Sequence, residues 1–319
     1  MPFRVTPVVF LLAVAGATLS ACSETPNRVT EAPSAIQESP AALTGSAQAL
    51  FGAAKWPAEL AGASVIGSYA RGCLARAQAL PLDGAHWQVM RPSRNRYWGH
   101  PTLIAFIGEF ADKATAGGWP GLLVGDLGQP RGGPALTGHA SHQIGLDVDI
   151  WLTAMPGHRL SDAERETMPA RSMLIAGRHR RLALNATLFT AAQARLIKAA
   201  AQADEVVRIF VNPLIKKALC RSAGDDRDWL AKVRPWRGHD EHMHVRLACP
   251  SGETMCQNQE PPPEGDGCGA ELTAWLKSKD WLPGNAPETP PASVQLSALP
   301  NACMQVLQAP DVQRTAINR

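Results

Sequence analysis

The chain has 319 residues, 45% of them hydrophobic, and 31 basic residues against 28 acidic ones give a formal net charge of +3. That length suits one large domain or two small ones, with enough apolar residues for a sizeable core. The basic residues are scattered rather than clustered, which excludes a nucleic-acid surface built as a basic patch.

The N-terminal stretch reads as a targeting segment. Arg4 supplies a positive start, and residues 8–17 form an apolar run too short to span a bilayer. Leu19-Ser20-Ala21-Cys22 resembles a bacterial lipobox, with cleavage after residue 21 and a lipid on Cys22. The alternative is a plain signal peptide with an incidental cysteine. Ser23 matches the outer-membrane sorting choice of Gram-negative lipoproteins. Residues 22–48, rich in Ser, Thr, Pro, Glu and Ala and without apolar periodicity, read as a flexible tether. The expected organisation is a signal peptide over 1–21, the lipidated cysteine and tether over 22–48, one folded domain over 49–282, and a proline-rich tail over 283–319 pinned through Cys303.

Residues 101–117 predict a helix, because Leu103, Ile104, Phe106, Ile107 and Phe110 recur at three- and four-residue spacing before Gly117-Gly118. Leu122-Leu123-Val124 reads as a short buried strand. The Gly/Pro-rich run 125–138 lacks the Gly-Lys-Ser/Thr of a phosphate-binding loop. It reads as tight turns that leave room for an extended substrate. Residues 153–189, polar and broken by Pro156 and Pro169, show no clear element. A helix follows over 190–203, where Thr190 and Gln193 form a capping box and Leu196, Ile197 and Ala200 line one face. A buried strand is expected over 206–211, then a helix opened by Asn212-Pro213 and running to 220. Residues 242–247 read as a strand, 270–277 as a helix, and the intervening chain as loops.

Besides Cys22 there are six cysteines: Cys73, Cys220, Cys249, Cys256, Cys268 and Cys303. In an exported chain an even set implies three disulfides, although six cysteines allow about fifteen pairings.

Five of the nine histidines lie in two short stretches. One is His139-Ala140-Ser141-His142-Gln143-Ile144-Gly145-Leu146-Asp147-Val148-Asp149-Ile150, whose alternation puts Asp147 and Asp149 on one face of a strand. The other is His239-Asp240-Glu241-His242-Met243-His244, where a strand sends the rings of His242 and His244 to one face. His142, Asp149 and His244 then form the open three-ligand set of a catalytic Zn²⁺, with water in the fourth position. His242 stands beside them as general base or as stabiliser of the charge formed on an attacked carbonyl, and His239 supports it. Asp147 is expected behind the ligands, supporting them. The helical H-E-x-x-H motif and the G-x-S-x-G nucleophile turn are both absent. Ser141 lies too near His139 and His142 in the chain for a nucleophile–base pair, and paired cysteines leave no thiol nucleophile.

The His139–Ile150 stretch, Arg208-Ile209-Phe210-Val211-Asn212-Pro213, and Lys232-Val233-Arg234-Pro235-Trp236 followed by His242-Met243-His244-Val245-Arg246-Leu247 resemble the penicillin-insensitive murein endopeptidase family. So do Arg96-Tyr97-Trp98-Gly99-His100-Pro101 and Gly265-Asp266-Gly267-Cys268-Gly269-Ala270-Glu271-Leu272, all in the same order across residues 66–303. The resemblance implies an α+β fold of the lysostaphin, D-Ala-D-Ala peptidase and hedgehog-type superfamily: a small antiparallel β-sheet carrying the metal site, flanked by helices and stapled by disulfides. It implies His142, Asp149 and His244 as zinc ligands and His242 as the catalytic histidine, with His239 close by. The substrate implied is peptidoglycan, cut at D-alanyl–meso-diaminopimelyl and also diaminopimelyl–diaminopimelyl cross-links. With no active-site serine to acylate, the activity would be insensitive to penicillin. The family's bridges imply Cys73–Cys303, Cys220–Cys268 and Cys249–Cys256.

The chain departs from the family in two places. Cys22 and its tether imply a lipid-anchored periplasmic enzyme rather than a soluble one. Some members hold a second metal through the histidine matching His139 and an Asp-Gly-x-His motif. Here that motif reads Ala176-Gly177-Arg178-His179, which leaves only His139 and His179 as donors. The rival readings are a D,D-carboxypeptidase of the same superfamily and a non-catalytic wall-binding lipoprotein.

Overall fold

The computed structural model describes residues 44–137, 139–177, 182–278, 280–282 and 293–312. The expected signal peptide, Cys22 and most of the tether lie outside these residues, as do His179 and residues 283–292 and 313–319 of the tail.

In chain order, helix α1 (Ala47–Ala53) is capped by the Ser46 side chain, and β1 (Ser64–Ser68) and β2 (Arg71–Ala75) form an antiparallel hairpin. The short β3 (Gln78–Ala79) pairs with β5 (Trp98–Gly99), and β4 (Trp87–Val89) lies between them in sequence. Helix α2 (Pro101–Ala116) starts where the His100 side chain accepts a hydrogen bond from the Thr102 N–H at 3.2 Å. Its Leu103, Phe106, Ile107 and Phe110 turn inward. Next come β6 (Leu122–Val124) and β7 (Asp147–Trp151). The stretch 153–189 holds small elements: α3 (Asp162–Thr167) and the hairpin β8 (Leu174–Ala176) and β9 (Leu182–Leu184). Helix α4 (Ala191–Ala201) carries the Thr190–Gln193 capping box. After β10 (Val206–Val211), helix α5 (Pro213–Ser222) starts on an Asn212 cap with Pro213 in its first turn. Then follow β11 (Val233–Pro235), β12 (His242–Leu247), α6 (Ala270–Lys277) and α7 (Ala302–Gln308).

The main sheet runs β11-β10-β12-β7-β6-β4. Its central strands β10, β12, β7 and β6 pair antiparallel, while the edge pairs β10–β11 and β4–β6 are parallel. Strand alternation divides the sheet into two chemistries. Val148, Ile150, Met243, Val245, Ile209 and Val211 join the main core, which also holds the inward residues of α2 and α4. The opposite face bears Asp147, Asp149, His242, His244 and Arg246.

A second cluster joins the β1–β2 hairpin to α1 and to the segment around α7 through Phe51, Ile66, Leu299 and Val306. Disulfide Cys73–Cys303 sits inside it, Cys249–Cys256 closes a loop that pairs with Gly67 of the same hairpin, and Cys220–Cys268 joins α5 to the loop before α6.

The glycine-rich run is more enclosed than the sequence reading expected. Residues 125–134 are buried and form an inner wall, whereas Leu136 further along is 64% exposed. Arg131, 4% exposed, contributes to this: its guanidinium donates to the carbonyls of Leu307 and Ala309 at 2.8 Å each and ties the run to the end of α7. Among the described residues no helix is long and apolar enough to cross a membrane.

Candidate metal centre

Strands β7 and β12 are neighbours, in a register that sets His244 opposite Asp149 and Arg246 opposite Asp147. Both carboxylates and both strand histidines therefore leave the same face. His142 arrives from the loop before β7, which turns back at Gly145 with φ +69°. A Cβ there would lie 2.4 Å from Leu74 Cδ2 and 2.9 Å from the His100 backbone nitrogen, so this bend needs glycine.

Neighbouring acceptors favour one tautomer of each ring. His142 Nδ1 lies 2.6 Å from the Leu127 carbonyl, which only accepts, so Nδ1 carries the proton and Nε2 a lone pair. His244 Nε2 has no hydrogen-bond partner among the described residues, but the Asp147 carboxylate 3.3 Å away attracts the ring proton to it, which leaves a lone pair on Nδ1. Asp147 is held in turn by Arg246 Nε and Nη2 at 2.8 and 3.0 Å, and it accepts the His142 backbone N–H at 3.0 Å.

The free lone pairs meet at one point. His142 Nε2 and His244 Nδ1 are 3.2 Å apart, and Asp149 Oδ1 is 3.5 Å from each. Asp149 Oδ1 is buried without a hydrogen-bond partner among the described residues. Three electron-rich atoms converging in a buried site repel one another unless a cation lies between them. Tetrahedral bonds of about 2.0–2.2 Å place ligand atoms roughly 3.3–3.6 Å apart. The triangle matches that size, so these residues fit a metal ion.

The charges suit one as well. Burial opposes ionisation of Asp149, but His242, His139 and His142 outweigh it and hold its carboxyl well below the usual range. Asp147 is held low in the same way, by Arg246 and His244 against burial. Burial pushes His244 down to about 4, so its ring is neutral. Ionised carboxylate and neutral imidazole are the forms that bind metal.

His139 also joins the group. The ligand atoms of His139, His142, Asp149 and His244 lie within 4.8 Å of one another, and these four could hold a metal ion. His139 Nε2 faces the other oxygen of Asp149 at 3.2 Å and Asp126 Oδ2 at 3.4 Å. Burial works against a charged His139, yet Asp149 and Asp126 prevail and raise its pKa. His242 Nε2 comes within 3.6 Å of Asp149 Oδ1 and has no hydrogen-bond partner among the described residues. The His239 ring lies 5.0 Å from that of His242, and its Nδ1 donates to the Arg237 carbonyl at 2.8 Å. Burial, reinforced by His242 and His244, pushes His239 down to about 3.

Asp126 is the residue that sequence reasoning missed. It follows β6 inside the glycine-rich run, is 4% exposed, and takes Arg96 at 3.0 Å and Arg94 at 3.2 Å as well as His139. Burial opposes its charge, but His139 and the two arginines prevail and lower it to about 2. The only signal was a charged residue closing an apolar strand.

A cavity of about 570 Å³ opens beside the cluster, from His139 and His244 along β10 toward α6. A separate cavity of about 440 Å³, between Phe189, Ala218 and Trp229, contains none of the clustered residues.

The family model described as penicillin-insensitive murein endopeptidase matches residues 65–308. Proteins of that name in three bacteria are similar to this chain. The one from Haemophilus influenzae is 46% identical over 255 residues, covering 80% of this chain and 86% of its own length. The one from Pectobacterium atrosepticum is 47% identical over 76% of this chain and 83% of its own. The one from Escherichia coli is 44% identical over 77% and 86%.

Proposed function

This chain belongs to the penicillin-insensitive murein endopeptidase family, and from that premise we propose that it is a zinc endopeptidase cutting D-alanyl–meso-diaminopimelyl cross-links of peptidoglycan in the periplasm. The observation that carries the metal part is the triangle of unprotonated donors on His142, Asp149 and His244, with edges of 3.2, 3.5 and 3.5 Å. A zinc ion held there would supply Lewis acidity to polarise the scissile carbonyl and to acidify the attacking water.

The remaining chemistry falls to the chain. His242 presents an unpartnered Nε2 beside the ligands. It takes the proton from the attacking water, returns it to the departing amine, and as imidazolium steadies the oxyanion in between. His239, neutral and with its Nδ1 proton donated to the Arg237 carbonyl, keeps the His242 surroundings free of a competing charge. Asp147 holds His244 in the tautomer that frees Nδ1. His139 engages Asp126 and the outer oxygen of Asp149. Cys22 is proposed to carry a lipid anchor to the outer membrane, a matter for mass spectrometry of the N-terminal peptide.

Dimeric muropeptides incubated with the protein are expected to become monomers when zinc is present, to persist with chelator, and to be cut again after zinc is restored. Dimers that persist with zinc supplied defeat the reading. Loss of a single alanine, with the cross-link intact, makes the protein a carboxypeptidase instead.

A further inference from the structure

The cavity beside the metal centre has a charge imbalance. Its lining includes Arg208, Arg234, Arg237 and Arg246 against one carboxylate, Glu271. Two of the guanidiniums are already matched: Arg246 by Asp147 at 2.8 Å and Arg234 by Glu271 at 2.7 Å. Arg208 and Arg237 have no carboxylate in ion-pair range among the described residues, and of the two Arg237 is exposed to solvent whereas Arg208 is half-buried. The Arg208 Nη2 donates to the Glu260 carbonyl at 2.6 Å, which orients the guanidinium and leaves its other donors unused. Burial, then the neighbouring charges of Arg246 and Arg234, press its pKa below the ordinary arginine value, as expected of a cation short of an anion.

Its position relates this charge to the chemistry. The β10–β12 register sets Phe210 opposite His244 and Arg208 opposite Arg246. Arg208 therefore lies one strand repeat, about 7 Å, from the His244 row on the same face. From the His244 row an aromatic wall runs along the same cavity. The Phe210 ring is edge-on to His244 at 5.3 Å and packs on Trp236 at 5.7 Å, and Trp236 packs on Trp275 at 5.5 Å. Such a wall suits an aliphatic stem and keeps water away from a charge pair at its end.

We propose that Arg208 is a specificity residue that binds a free carboxylate of the peptide substrate and so sets the scissile amide in register with the metal centre. This rests on the endopeptidase reading above. In a cross-linked peptide such a carboxylate has two sources: the one on the diaminopimelyl centre beside the cross-link, and the one at the end of the stem.

The test uses zinc-supplied wild type, Arg208→Gln and Arg208→Lys on three dimers: unmodified, amidated beside the cross-link, and amidated at the stem terminus. Amidating the engaged carboxylate is expected to lower wild-type kcat/KM by roughly 10- to 100-fold, mostly through KM. Arg208→Gln should show that loss on the unmodified dimer and no further loss on the amide, and Arg208→Lys should recover part of it. The amide that costs activity identifies the source. The inference is overturned if neither amide affects the wild type, or if the amide penalty is undiminished in both variants. Zinc content equal to wild type in each variant, with partial recovery in Arg208→Lys, separates lost carboxylate binding from lost fold. A wild type that cuts no dimer removes the endopeptidase reading, and this inference with it.

Discussion

His142 sits at φ +66°, a backbone region that costs a non-glycine residue about 1–3 kcal/mol. Two hydrogen bonds hold it there: its Nδ1–H to the Leu127 carbonyl at 2.6 Å and its backbone N–H to Asp147 at 3.0 Å. His239 of the same cluster is also left-handed, at φ +54°, and strain at two clustered histidines belongs to a site whose geometry matters more than its local stability. His242 differs, since nothing but the cluster fixes its Nε2. If it moves the proton rather than holding metal, His242→Ala should bind as much zinc as wild type while kcat falls by about 10²- to 10⁴-fold. Metal content and single-turnover rate measured on one preparation decide this. Unchanged turnover would remove His242 from the mechanism, and lost zinc would make it a ligand.

At the scale of elements, α5 carries a buried charge that the site does not use. Lys216 is 0% exposed, and its Nζ donates to the carbonyls of Leu230 and Asp266 at 2.8 and 2.6 Å, binding the helix to the loop before Cys268. Burial, helped by nearby Arg234, lowers its pKa from 10.5 to about 7. The folded value lies below the unfolded one, so between them the unfolded chain holds a proton that the folded chain lacks. Stability from this group therefore rises with pH across that window, by up to about 1.4 kcal/mol per unit, and is constant below it. Denaturant midpoints of wild type and Lys216→Met, compared from about pH 7 to about pH 9.5, should diverge in favour of the wild type as pH rises. A constant difference would mean that Lys216 stays charged in the folded protein.

For the whole molecule, the question is what holds the segment 293–312 on the domain. Cys73–Cys303 spans a sequence separation of 230, whereas Cys249–Cys256 spans 7. On the chain-entropy account these closures limit the unfolded state by about 5 and about 2 kcal/mol. Replacing both cysteines of the long bridge by alanine should therefore lower unfolding free energy more than the same change at the short one. Equal losses would show that native packing, rather than unfolded-chain entropy, sets the value of each bridge. Arg131 adds to the same closure from within, tying the buried glycine run to the end of α7.

Much of this was legible in the residues. The two histidine stretches, the alternation that faces Asp147 and Asp149 one way, the α2 stripe and the Thr190 cap are local patterns with one physical reading each. The small elements of 153–189 were not, although Ser161 and Glu164 form a capping box there, because six-residue helices and three-residue strands carry too few periods. Asp126 was hidden for another reason: what makes it part of the site is His139, Arg94 and Arg96 folding onto it. By itself the sequence determined which side chains share a face, since side-chain alternation along a strand is a local property. Only the tertiary structure decided which nitrogen of each ring is free, that β7 and β12 pair His244 with Asp149, and that Arg208 meets no carboxylate among the described residues. Those depend on partners distant in the chain, and no short-range pattern encodes them.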